Sequence, residues 1–180
     1  TLITSSAASD VYKRQAEAHY SVLMSANVVG IGYQNLVKVA CDSRGRMKPE
    51  SLVEEIVRAR TNGQTPFCII ATSGTTVRGA FDPLKEIANI AHDNNIWLHV
   101  DAAWGGSSLF SKRFRKLMDG VELADSVCWD AHKMMGMPLI CSVFLTKSKD
   151  TLRAVCAHGD AAHYLSLIHI SEPTRRRTIS

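Results

Sequence analysis

From residue 36 onward, short apolar runs are separated by amphipathic stretches, and that alternation most restricts what the chain can fold into. LVKVA (36–40), FCIIAT (67–72), IWLHV (96–100), SVCWD (126–130) and LICSVFLT (139–146) each have the length and the β-branched or aromatic content of a buried strand. Helical signals lie between them. Pro49 opens a helix with Leu52, Val53, Ile56 and Val57 on one face, and Asn62-Gly63 stops it. Asp82 is expected as the N-cap of a second helix with Pro83 at its first position. There Leu84, Ile87, Ala88 and Ala91 recur at helical spacing until Asn94-Asn95. A further helix is predicted over about 111–118, ahead of the strand at 126–130. Strands connected in this way define an α/β architecture with a mostly parallel sheet flanked by helices.

The 180 residues are 46% hydrophobic and 21% charged, enough apolar material for one sizeable core, which argues against a disordered chain or a coiled coil. No stretch approaches the roughly 18 uncharged apolar residues that cross a bilayer. The opening residues also lack the basic-then-apolar order of a secretory signal, so a cytoplasmic protein without a membrane partner is expected. Cys41, Cys68, Cys128, Cys141 and Cys156 are odd in number and form no C-x-x-C pair, as expected of buried thiols rather than a disulfide framework or a zinc site. Most of the net charge of +4 comes from the two ends, and the interior offers only small mixed groups such as Lys112, Arg113, Arg115 and Lys116. A nucleic-acid partner needs cations clustered on one folded face, so none is expected.

The ends themselves read differently from the chain between them. SSAASDVYKRQ and SLIHISEPTRRRTIS show neither strand nor helical periodicity, and both resemble peptides that arise when sequencing-adapter DNA is translated in frame. Residues 1–15 and 166–180 are therefore expected to be non-native, leaving 16–165 as part of a larger domain.

Chemistry-bearing residues fall just after three of the strands: Thr75 and Thr76, Asp101, and His132-Lys133. In parallel α/β sheets ligands bind beyond the carboxyl ends of the strands, so these loops are expected to converge on one site. Lys133 stands among Met134, Met135, Gly136, Met137 and Pro138. An apolar setting disfavours an ammonium ion and makes a lysine a usable nucleophile toward a carbonyl; taken alone, the commoner reading is a stem that snorkels to solvent. Asp101, followed by Ala102, Ala103 and Trp104-Gly105-Gly106, has small neighbours that leave room for a flat ring. A carboxylate there could hold a pyridine nitrogen protonated, although such an Asp is also a common cap or metal ligand. Thr75 and Thr76, after the tight turn at Gly74, offer hydroxyls, but the segment lacks the spacing of a nucleotide-binding loop. His19 could stack on a ring or simply pack. Met134, Met135, Met137, Trp97 and Trp129 read as packing residues. His158 and His163 do not have the i, i+4 spacing of two metal ligands on one helix face, so no metal is expected.

Taken together, HVDAAWGG (99–106) and WDAHKMM (129–135), with AHYS and ATSGTTVRGAFDP in the same order, resemble the group II pyridoxal-phosphate-dependent decarboxylases over about residues 16–165. The resemblance implies the fold type I, aspartate-aminotransferase-like large domain and pyridoxal 5'-phosphate as cofactor. It implies that Lys133 bonds the cofactor covalently, that Asp101 pairs with the pyridinium nitrogen and that His19 and Ala103 cover the two ring faces. Thr76 then sits near the ring and Asp101, and His132 near the phosphate. It further implies a homodimer with residues from other segments completing the site, and weak or no turnover by this piece alone. Trp104-Gly105-Gly106 and the Met-Met-Gly-x-Pro-Leu run at 134–139 resemble the members that decarboxylate acidic amino acids: glutamate, aspartate or cysteine sulfinate. An aromatic amino-acid or diaminobutyrate decarboxylase, or an inactive α/β binding module, is the alternative. Asp130-Ala131 departs from the Asn-Pro that many relatives carry, and a carboxylate facing phosphate is repulsive, so no phosphate contact is carried over to position 130.

Overall fold

Six strands form a single sheet in the order β2-β1-β3-β4-β5-β6. They are β1 (Asp10–Gln15), β2 (Leu36–Val39), β3 (Thr65–Thr72), β4 (Trp97–Asp101), β5 (Ser126–Asp130) and β6 (Ser142–Thr146). All neighbouring pairs are parallel except β5 with β6, which run antiparallel, so the mostly parallel sheet is as the apolar runs indicate. The computed structural model describes the backbone of residues 10–15 and residues 18–156 in full. Residues 166–180, with His158 and His163, lie outside the described residues. The chain divides into two units, Thr1–Lys147 and Ser148–Ser180, and in the second the described residues include the short helix Thr151–Cys156.

One strand departs from the sequence reading. Asp10–Gln15, within a segment expected to lie outside the fold, pairs on both sides, with β2 and with β3. Its polar DVYKRQ sequence carries no apolar run, so only its pairing partners reveal it.

The core fills the space between one face of this sheet and two helices, α2 (Pro49–Thr61) and α3 (Leu84–Asp93), numbered after α1 (Ser21–Val28). Alternation along β4 sends Leu98 and Val100 into that core, together with Ile69 and Ala71 of β3. Pro49 begins α2 at a position where its missing N–H is not needed, and Gly63 follows the helix at φ +73°. The buried stripe of α2 is Leu52, Ile56 and Ala59, whereas Val53 and Val57 are exposed. Successive residues are about 100° apart around a helix of 3.6 residues per turn, so a stripe centred on Leu52 and Ile56 turns the two valines outward. In α3 the expected Leu84, Ile87, Ala88 and Ala91 are all buried.

Three other expectations are corrected. The segment 111–118 yields only a short 3-10 turn, Arg115–Met118, whose Met118 is buried. Asp82 does not cap α3; its carboxylate is turned elsewhere. Met134, Met135 and Met137 are about half exposed and Trp97 is also exposed, so none of the four packs in the core of this chain. Leu139, Ile140 and Leu145 are likewise exposed. Among the described residues no helix is long and apolar enough to cross a membrane.

Candidate active site

At the carboxyl ends of β3, β4 and β5 lies a cavity of about 260 Å³. His19, Thr76, Asp101, Ala103 and Lys133 all line it, together with Asp130, which sequence reasoning set aside. Five of the six candidate cofactor residues therefore meet in one place. His132 does not join them: its Nδ1 accepts the Cys141 N–H at 3.2 Å, holding the ring against the start of the β6 segment.

Strand register explains how Asp101 is presented. Thr72, Asp101 and Cys128 are neighbours across β3, β4 and β5. Alternation along β4 puts Asp101 on the face opposite Leu98 and Val100, away from the helices that cover the core. Two donors converge on Asp101 Oδ1: the Ala103 N–H at 3.1 Å and the Cys128 thiol at 3.5 Å. Burial, reinforced by the Asp101 carboxylate, pushes the Cys128 thiol up to about 12, so it stays protonated and able to donate. Thr72 contributes a hydroxyl to the same wall, and its buried Oγ1 has no hydrogen-bond partner among the described residues. An orphaned buried hydroxyl is costly, and a polar ligand in the cavity would relieve it.

Lys133 follows β5 in a turn closed by its own N–H donating to the Asp130 carbonyl at 3.2 Å. Its Nζ lies 3.0 Å from Asp130 Oδ2 and 5.9 Å from the centroid of the Trp104 ring. The apolar setting expected from the flanking methionines is thus replaced by an ion pair. Burial pushes the Asp130 carboxyl up, but a hydrogen bond from Ser142 and the Lys133 ammonium outweigh it and hold the carboxyl below its ordinary value.

The remaining walls come from two loops in backbone contact. Gly74, at φ +84°, turns the chain after β3, and the Gly105 N–H donates to the Ser73 carbonyl at 3.0 Å. Thr75 is buried, and its Oγ1 accepts the Ala80 N–H at 3.0 Å, which leaves Thr76 at the cavity. Asp82, which the sequence marked as a cap, instead accepts the N–H groups of Met47 and Thr72, each at 2.7 Å, and so fastens the end of β3 from beneath. His19 precedes α1, with its Nδ1 2.8 Å from the Ser21 hydroxyl. Sequence reasoning missed Thr72, Asp82, Cys128 and the pairing of Asp130. The register that aligns Thr72 and Cys128 with Asp101 is a tertiary fact, and no local motif encodes it.

A mostly parallel sheet with a lysine, a carboxylate and an imidazole gathered at the carboxyl ends of its strands has the architecture of the fold type I pyridoxal-phosphate enzymes. Residues 9–178 match the pyridoxal-dependent decarboxylase conserved domain, and the chain belongs to that family. It is 48% identical over 148 residues to acidic amino acid decarboxylase GADL1 of Bos taurus, covering 82% of this chain and 28% of that protein. It is 47% identical over 149 residues to cysteine sulfinic acid decarboxylase of Mus musculus, covering 83% of this chain and 30% of that one. The crystal structure of mouse CSAD superposes with a TM-score of 0.79 at 44% identity, over 80% of this chain and 31% of the other. The chain thus spans about 30% of the length of these relatives.

The residues present fit pyridoxal 5'-phosphate, the cofactor of this family. The cavity gathers an amine, a carboxylate, an imidazole and a buried hydroxyl without a partner among the described residues, functional groups of the kinds that an aldehyde-bearing pyridine ring would require.

Proposed function

We propose that this segment is part of the cofactor domain of a longer enzyme, which removes the α-carboxylate of an acidic L-amino acid: glutamate, aspartate or cysteine sulfinate. The observation that carries the reading is that Lys133 and Asp101, 32 positions apart in the chain, line the same cavity. When bound, pyridoxal phosphate supplies an electron sink for the pair of electrons left at the substrate's α-carbon as carbon dioxide departs.

This chain's residues have the following parts. Lys133 Nζ would hold the cofactor through its aldehyde. Asp101 keeps a proton on the ring nitrogen; both of its donors take Oδ1, so Oδ2 is the oxygen that serves the ring. His19, Ala103 and Thr76, which line the same cavity, would bound the ring. His132 is left out of this assignment, because its ring is held against Cys141 instead of lining the cavity. Trp104-Gly105-Gly106 and the two acidic-substrate relatives support the choice of substrate class. A homodimer with residues from other segments completing the site is part of the same reading.

The test is to express the full-length protein with pyridoxal phosphate and measure carbon dioxide release from glutamate, aspartate, cysteine sulfinate and dopa, with Lys133→Ala alongside. Release from one of the three acids, lost in the variant, is the expected result. Release from dopa alone moves the enzyme to the aromatic branch, and no release from any of the four despite bound cofactor overturns the reading.

A further inference from the structure

The imidazole at the cavity is held by a neighbour to which the proposed chemistry gives no part. His19 and Ser21 both line the cavity, and Ser21 is the first residue of α1. Two groups of Ser21 meet the same ring nitrogen. Its backbone N–H donates to His19 Nδ1 at 3.3 Å, and its hydroxyl oxygen lies 2.8 Å from that atom. A backbone N–H only donates, so Nδ1 is an acceptor and carries no hydrogen. The hydroxyl therefore donates as well, through the shorter bond, and the two donors share one lone pair. A neutral imidazole then bears its hydrogen on Nε2, which has no hydrogen bond to any described residue.

Helix capping does not account for this arrangement. Tyr20 makes no side-chain cap, and the imidazole accepts one of the first-turn N–H groups that a helix leaves free. That contact needs only the backbone of Ser21. The hydroxyl adds nothing to the helix, yet it makes the closer approach. What it adds is a constraint on the ring. A flip that exchanges Nδ1 with a ring carbon loses the hydroxyl bond, and moving the hydrogen to Nδ1 sets it against the Ser21 N–H.

We propose that Ser21 is a positioning residue for His19: its hydroxyl fixes the orientation and the tautomer of the imidazole, so that the ring offers an N–H donor at Nε2 to what binds in the cavity. The inference rests on the reading of His19 as a neighbour of the cofactor. Serine suits the task, because its hydroxyl is short enough to bond a group two residues away and can donate where a carboxylate could not. No contact with the cofactor is assigned to Ser21 itself.

The sample is the full-length protein with isotope-labelled histidine nitrogens, observed by NMR in alkaline buffer, and His19→Gln identifies the His19 ring signals by their loss. The wild type is expected to show Nδ1 as a hydrogen-bonded acceptor and Nε2 as the nitrogen bearing hydrogen. Ser21→Ala keeps the backbone N–H and places a good helix former at the start of α1, so the helix is retained. Its Nδ1 signal is expected to move toward that of an unbonded acceptor. Its affinity for pyridoxal phosphate, read by fluorescence titration, is expected to fall by a factor of about five, the worth of one hydrogen bond. Ser21→Thr restores a hydroxyl and is expected to return both readouts toward wild type, which a merely structural serine would not require. His19 signals in Ser21→Ala that match the wild type, an unchanged affinity in that variant, or a wild-type ring with its hydrogen on Nδ1 each overturn the proposal while leaving His19 beside the cofactor. If His19→Gln binds pyridoxal phosphate as tightly as wild type, His19 is no neighbour of the cofactor, and that reading falls together with this one.

Discussion

The thiol of Cys128 donates to Oδ1 of Asp101 at 3.5 Å, from the register position directly beside it on the next strand. The carboxylate proposed to hold the cofactor ring is thus fixed by a side chain as well as by the Ala103 N–H. Cys128→Ala deletes one donor, and loss of a hydrogen bond worth about 1 kcal/mol net corresponds to cofactor binding weaker by a factor of about five. Cys128→Ser, which keeps a donor, is expected to lie closer to wild type. A fluorescence titration with pyridoxal phosphate checks both; equal affinities for all three proteins remove Cys128 from the support of Asp101.

Three of the shifted groups bound the plateau of stability. Burial pushes the Cys68 and Cys128 thiols up to about 12 from an ordinary 9.0. The folded chain therefore holds those protons more tightly than the unfolded one, and the stability they give is complete below pH 9.0 and declines as pH climbs toward 12. Burial pushes the His99 imidazole below its ordinary 6.5, against the opposing pull of Asp101. There the unfolded chain takes up the proton first, and stability is lost as pH falls below 6.5. A plateau in the melting temperature of the full-length protein is expected between these limits. Cys68→Ala should flatten the alkaline decline, and an equally steep decline in that variant counts against the assignment.

Much of this arrangement was legible in the sequence, and what escaped did so for physical reasons. Strands β2 to β6 carry apolar runs, and Asp101 and Lys133 stand at the ends of two of them, so fold class and the central pair were readable without coordinates. Asp10–Gln15 was not, because it enters the sheet by pairing with β2 and β3 while its own sequence, DVYKRQ, carries no apolar run. The valines of α2 were placed on the buried face by counting apolar residues, although only the Leu52, Ile56 and Ala59 stripe meets the sheet. Asp82 has the local signature of a helix cap, but its partners are the N–H groups of Met47 and Thr72, 35 and 10 residues away. Local pattern cannot foresee a bond that tertiary packing creates.

That buried Asp82 carboxylate gives a direct stability test. It is 3% exposed and accepts two backbone N–H groups, each at 2.7 Å. Asp82→Ala leaves two buried N–H groups without an acceptor, at a cost of about 3 kcal/mol or more. Asp82→Asn retains one acceptor oxygen and is expected to lose about half as much. Because Thr72 lines the cavity, both variants should also weaken cofactor binding. Urea denaturation of the full-length protein measures the first effect, and an Asp82→Ala variant as stable as wild type refutes the account.

The contact between the two loops makes a sharper demand. A Cβ built on Gly105 would stand 2.3 Å from the Ser73 carbonyl oxygen and 2.6 Å from the Phe81 ring, and neither neighbour is a flexible side-chain end. Gly105→Ala must therefore push apart the loops that carry Thr76 and Ala103 to the cavity. Overpacking of this kind costs about 1–3 kcal/mol, and the displaced loops should reduce affinity for pyridoxal phosphate beyond what the stability loss alone explains. Gly79→Ala is the control. Unlike Gly105 it has a positive φ, +61°, and an added Cβ meets nothing within 4 Å, so it carries backbone strain without a clash. Denaturation curves and cofactor titrations of the two variants separate the effects: Gly79→Ala is expected to lose stability alone, and Gly105→Ala both stability and affinity. If both variants bind cofactor as wild type does, the close approach of Gly105 to Ser73 is not what shapes the cavity.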